Sequence, residues 1–184
     1  MFYVDYHTHP LSHLEKEVKP YHNKKLLKSF IKQAKKKNIK EIGFSDHDDF
    51  IENFNWDNLN YIKNNSDLKV RQGIEIDYKE NEEEKIKEVI NNYNFDYVIG
   101  SVHKINDWPI DHPDYKNEYN NWNIEDLYQK YFEIVIKMVE SNLFDIIGHI
   151  DLIKIFNNKL EIEKYENIFN KLINKIKKNN IAIE

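Results

Sequence analysis

Asp96-Tyr97-Val98-Ile99-Gly100-Ser101-Val102-His103 is a short apolar run that ends in a histidine. A run of this length, apolar on both faces, suits a strand of a sheet covered on both sides. The pattern recurs along the chain. Phe2-Tyr3-Val4 leads into Asp5-Tyr6-His7-Thr8-His9-Pro10, with His13 shortly after, and Glu41-Ile42-Gly43-Phe44-Ser45 leads into Asp46-His47-Asp48-Asp49. Phe144-Asp145-Ile146-Ile147-Gly148-His149-Ile150-Asp151 carries its histidine just past the apolar part. The strand read over Lys69 to Asp77 instead ends in carboxylates, Glu75 and Asp77, which alternation places on one face, as it does His7 and His9. Asn180-Ile181-Ala182-Ile183-Glu184 begins a sixth strand.

Between these strands lie helical periodicities. Leu27, Phe30, Ile31 and Ala34 share one face of a helix over about 24 to 38, with lysines on the solvated side. Residues 56 to 64 read as a short helix or irregular connection. Ile86, Val89, Ile90 and Tyr93 mark a second amphipathic helix. A longer one carries Ile124, Leu127, Tyr128, Tyr131, Ile134, Val135 and Met138, and the last carries Tyr165, Ile168, Phe169, Leu172 and Ile176. Strands alternating with helices predict an α/β fold of parallel strands, a barrel or an open sheet, in a single domain over 1–184. The stretch from Lys104 to Trp122 has no usable periodicity, and at that length it is expected to serve as a lid or binding surface.

In a parallel barrel, functional groups gather at the C-terminal ends of the strands. Five successive strand ends here carry His7 and His9, His47, Glu75 and Asp77, His103, and His149. Such a ring predicts a polynuclear metal site. Cysteine is absent, so the ligands must be nitrogen and oxygen, a donor set that suits Zn, Mn or Fe, with Glu75 as the natural bridge. Two ions can activate a hydroxide and stabilise both oxygens of an in-line displacement, and phosphate monoesters need that help most.

Composition narrows the partners. The formal charge is −5 with Arg71 as the only arginine, which argues against a nucleic-acid groove. No apolar run is long enough to span a bilayer and no signal-peptide pattern opens the chain, so a soluble cytoplasmic protein acting on a small molecule is expected.

Together the motifs resemble those of the PHP family, named for polymerase and histidinol phosphatase, and most closely its histidinol-phosphatase branch. The resemblance implies a distorted, TIM-like (β/α)7 barrel with two or three divalent metal ions. It implies that His7, His9 and Glu75 hold one ion, that Glu75, His103 and His149 hold a second, and that His13 and His47 serve a third. The implied reaction is hydrolysis of L-histidinol phosphate to L-histidinol and phosphate, in histidine biosynthesis. The nucleophile would be a metal-bound hydroxide, with no separate catalytic residue assigned. Asp46, Asp77 and Asp151 are candidates for orienting ligand imidazoles. Lys104 and Lys154 follow ligand positions and are expected as solvated lysines within reach of phosphate, whereas His22 and His112 match no motif and are expected on the surface or in loops. The family also places an Asp-x-His motif on its last strand, and no such motif follows the fifth strand here. The barrel is therefore expected to be incomplete at its C-terminal end, with exposed strand edges through which a second chain could pair.

Overall fold

The computed structural model describes residues 3–11 and 21–184. They form two compact units: one runs up to Ile76 and includes Asn94–Ile99, and the other comprises Asp77–Tyr93 and Gly100–Glu184.

In the first unit, strand β1 (Tyr3–Asp5) pairs in parallel with β2 (Ile39–Phe44), and β2 with β3 (Lys69–Asp77). The register sets Val4 against Glu41 and Phe44 against Gln72. Next to β3 lies β4 (Tyr97–Ser101), preceded by an Asp96 N–H that donates to the Gln72 carbonyl at 2.7 Å. Helix α1 (Lys24–Lys36) opens on Asn23, whose side chain accepts the Leu26 N–H, and buries Leu27, Ile31 and Ala34 beside β2. Helix α2 (Trp56–Asn65) is capped in the same way by Asn55 and buries Leu59 and Ile62. The stripe foreseen for α1 thus packs beside β2, and the stretch read as a short helix or irregular connection is the helix α2.

Two glycines shape the interior of this unit. A Cβ on Gly43 would stand 2.0 Å from the Tyr97 hydroxyl, and one on Gly73 2.2 Å from the Tyr97 ring. The two missing side chains make the slot in which the tyrosine lies. Its hydroxyl donates to the Tyr6 carbonyl, directly before His7.

The second unit holds α3 (Glu83–Asn92) and the C-terminal part of β4, followed by a small antiparallel hairpin of β5 (Lys104–Ile105) and β6 (Trp108–Pro109). Helix α4 (Ile124–Glu140), capped by Asn123, packs on α5 (Ile162–Asn179) through Tyr128, Phe132, Tyr165 and Phe169, with Phe132 stacked on Tyr165 at 5.6 Å. Between the two helices, β7 (Ile146–Ile147) lies next to β4 and pairs in parallel with β8 (Ala182–Ile183). The fifth expected strand is thus reduced to two paired residues. The aperiodic stretch from 104 becomes the hairpin followed by a 3-10 turn over Pro113–Asn121. Among the described residues, no helix is long and apolar enough to cross a membrane.

Candidate metal centre

Each of the predicted strand ends in the first unit delivers its side chain to one place. Beyond β1 the chain stays extended: the Ser45 N–H donates to the Thr8 carbonyl at 2.9 Å, and the Thr8 hydroxyl donates to the Gly43 carbonyl. Beyond β2, His47 bridges in parallel to Glu75, and the Glu75 N–H donates to the Asp46 carbonyl at 3.2 Å. As a result His7 Nε2, His9 Nε2 and His47 Nδ1 stand 3.1, 3.4 and 3.1 Å from a single atom, Glu75 Oε2. The His9 and His47 rings stack 4.7 Å apart, and His7 meets His9 edge-on at the same separation.

Glu75 is fully buried (0% exposed). Removing a carboxylate from water costs several kcal/mol unless positive charge accompanies it. His9 does not provide that charge near neutral pH. Burial, reinforced by His47 and His7 and opposed by Glu75, pulls His9 down to about 4. A neutral His9 offers a lone pair, and its Nδ1 is buried with no hydrogen-bond partner among the described residues. Two ligands each about 2.1 Å from one ion, at octahedral to tetrahedral angles, lie about 3.0–3.4 Å apart. The nitrogen-to-oxygen spacings have that length, so the donor set fits a divalent cation in both charge and dimension.

The second unit gathers another pair. His103, two residues beyond β4, and His149 have ring centroids 4.9 Å apart. Asp77 braces the first of them: its Oδ1 accepts the His103 N–H at 3.1 Å and lies 3.4 Å from Nδ1 of the ring. Burial would raise the Asp77 carboxyl, but His103 and Lys104, whose Nζ is 3.5 Å from Oδ2, outweigh it and hold Asp77 below its ordinary value. With Nδ1 turned to the carboxylate, the orientation of the His103 ring is fixed. His149 sits at φ 26°, on the left-handed side that non-glycine residues occupy at a cost of about 1–3 kcal/mol. A Leu152 N–H donating to its carbonyl at 2.9 Å closes the turn that imposes this conformation.

Of the expected ligands, His7, His9, His47 and Glu75 converge in one unit and His103 and His149 in the other, while His13 lies outside the described residues. Asp77 orients an imidazole as expected. Asp151 does not; it is exposed and pairs with Lys154 at 3.3 Å. His112 is an exposed residue that accepts the Asp114 N–H, in keeping with its expected place in a loop. His22, expected at the surface or in a loop, lies in a turn but not at the surface: it is 1% exposed and places Nε2 2.7 Å from Asp46 Oδ2, so Asp46 engages this histidine. The sequence does not single out Tyr97, which anchors the carbonyl before His7; Gly43 on β2 and Gly73 on β3 are its signal.

Known proteins share this arrangement of strands. A crystal structure of histidinol phosphate phosphatase (HisK) from Lactococcus lactis, complexed with Zn, L-histidinol and phosphate, is similar over 98% of this chain and 72% of that one, with a TM-score of 0.77 and 17% identity. The histidinol phosphatase hisK candidate of Listeria monocytogenes matches 98% of this chain and 80% of its own, with a TM-score of 0.76 and 20% identity. At these identities the likeness is one of fold: mixed α/β with a parallel sheet, corresponding to an incomplete TIM-like barrel. In sequence, 91 residues are 40% identical to a Deinococcus radiodurans protein named as a probable histidinol-phosphatase. That match spans 50% of this chain and 35% of the relative, so about a third of the relative's length is represented. The PHP domain itself matches residues 12–184, nearly the whole chain, and with histidines and a glutamate standing at its strand ends in that family's order, this chain belongs to the PHP family.

Proposed function

We propose that the chain is a metal-dependent phosphomonoesterase that hydrolyses L-histidinol phosphate to L-histidinol and inorganic phosphate, working as a single PHP-type domain. The observation that carries this reading is the convergence of three imidazole nitrogens on the buried Glu75 Oε2 within 3.4 Å. The substrate class is supported by the histidinol-phosphatase relatives, and the metal by the Zn in the Lactococcus lactis complex.

His7, His9, His47 and Glu75 hold divalent ions in the first unit, with His13 a further ligand from the motif, and His103 and His149 hold metal in the second. Zn, Mn or Fe suits this donor set. Such ions supply the Lewis acidity that makes water nucleophilic near neutral pH and stabilises charge on phosphoryl oxygens. The protein's own groups prepare for this. Neutral His9 binds without first releasing a proton, Glu75 contributes a charge with no water to compete for it, and Asp77 fixes the tautomer and tilt of His103. Lys104, beside Asp77, would meet a phosphate oxygen.

The test is release of inorganic phosphate from L-histidinol phosphate by the metal-reconstituted protein, beside a His103→Ala variant and other phosphomonoesters. Selective turnover that the substitution abolishes is expected. Metal binding without turnover on any ester would reduce the chain to a metal-binding module, and equal turnover of all esters would remove the substrate assignment.

A further inference from the structure

His22 and Asp46 form a buried pair that supplies no donor to the cluster around Glu75. Asp46 is nonetheless the junction of three segments that carry the cluster. Its Oδ1 accepts the Leu11 N–H at 2.7 Å, two residues beyond His9. Its carbonyl accepts the Glu75 N–H at 3.2 Å, and His47 follows it directly in the chain. Its remaining oxygen, Oδ2, is taken by His22 Nε2 at 2.7 Å.

The opposite edge of the His22 ring fixes which nitrogen carries the proton. Nδ1 accepts the Asn55 N–H at 3.2 Å, so Nε2 is the N–H that donates to Asp46. Phe54 meets the ring edge-on at 4.9 Å and Asn55 opens α2, which makes the imidazole a rigid strut between the start of that helix and the Asp46 carboxylate. His22 itself holds φ 48°, a strained conformation for a residue with a side chain, and this turn directs the ring inward just before the Asn23 cap of α1.

We propose that His22 is a positioning residue for the metal centre. By fixing the rotamer of Asp46, it holds the loop bearing His9 in register with Glu75 and the start of the His47 turn. It ligates nothing. This inference rests on the metal-centre reading above, and outer partners of this kind are worth about 10- to 100-fold in metal affinity.

The experiment is Zn²⁺ titration of the full chain against a chromogenic chelator, for the wild type and for His22→Ala, His22→Gln, His22→Asn and His7→Ala, with the melting temperature of each metal-free protein alongside. Gln can place an N–H where Nε2 stands; Asn can accept from Asn55 but falls short of Asp46. The expected result is affinity weakened about 10- to 100-fold in the Ala and Asn variants and within about threefold of wild type in Gln. A residue that only fills space would instead show Gln and Asn alike. Wild-type affinity in His22→Ala with a weakened His7→Ala would overturn the positioning role and leave the metal centre standing. Unchanged affinity in His7→Ala would overturn the metal centre itself. Should His22→Ala not fold, the comparison of Gln with Asn decides, and a Gln variant as weak as Asn would refute the role of the donated hydrogen bond.

Discussion

Replacing Gly73 by alanine puts a methyl group into occupied space. The new Cβ would lie 2.2, 2.4 and 2.6 Å from Cζ, Cε2 and Cε1 of Tyr97, whereas carbon atoms in contact rest at about 3.5–4.0 Å. The ring must therefore retreat by more than about 1 Å, and it is held on both sides. Its hydroxyl is bonded to the Tyr6 carbonyl, and the equivalent space on the neighbouring strand is already used at Gly43. Overpacking of this kind costs about 1–3 kcal/mol. Breaking the phenol's hydrogen bond inside the protein adds about 1–3 kcal/mol. A loss of about 2–6 kcal/mol is expected for Gly73→Ala, read from urea unfolding of the metal-free protein followed by tryptophan fluorescence. The decisive comparison is with Tyr97→Ala, which alone should cost about 3–5 kcal/mol through the cavity it leaves. In that background the slot is empty, and adding Gly73→Ala should cost less than about 1 kcal/mol. Costs that simply add, within about 0.5 kcal/mol, would refute the claim that ring and glycine share one space.

Two other perturbations have defined directions. In the metal-free protein, His9 is lowered to about 4, chiefly by burial, so between its ordinary value of 6.5 and 4 the unfolded chain binds a proton that the folded chain refuses. Stability should thus fall as pH drops through that window, by up to about 3 kcal/mol, and His9→Gln should flatten the dependence in urea midpoints taken at successive pH values. Glu41, which burial alone would raise, is held at about 2 by Arg71 at 2.6 Å, Lys69 at 2.8 Å and the Tyr6 hydroxyl at 2.7 Å. Arg71→Met should raise the Glu41 titration, visible by carboxyl NMR, and cost about 1–3 kcal/mol, because Lys69 and Tyr6 cannot fully replace a bidentate-capable guanidinium; an unmoved Glu41 would show that Arg71 is incidental.

What the sequence disclosed and what it hid divide along physical lines. The strand ends were legible because a strand places side chains with period two, so His7 and His9, or Glu75 and Asp77, announce a shared face before any tertiary contact is known. Helix stripes such as Leu27, Ile31 and Ala34 were legible for the same local reason. Hidden were the relations made across the chain. Nothing local distinguishes His22 from a surface histidine, because its burial depends on Asp46 and Asn55, 24 and 33 residues away. The hairpin at 104–109 consists of two-residue strands, too short to generate a period, and it is held to its surroundings by an Ile110 N–H on the His103 carbonyl at 2.9 Å. The link from Tyr97 to Tyr6 spans 91 positions and could be suspected only from the two glycines.

The backbone at His149 also limits which residues can replace it. At φ 26°, a β-branched or bulky residue would be a steric outlier, while Gly, Asn, Asp and His are the types that enter this region most readily. Of these, glycine contributes no donor and Asn and Asp contribute oxygen. The fold therefore filters substitutions at this position before chemistry does, and those that survive the filter and still carry a donor exchange a nitrogen for the harder oxygen that Mg, Ca and Mn favour. With His149 as the metal ligand proposed above, drift at this position is thus channelled toward a change in metal preference.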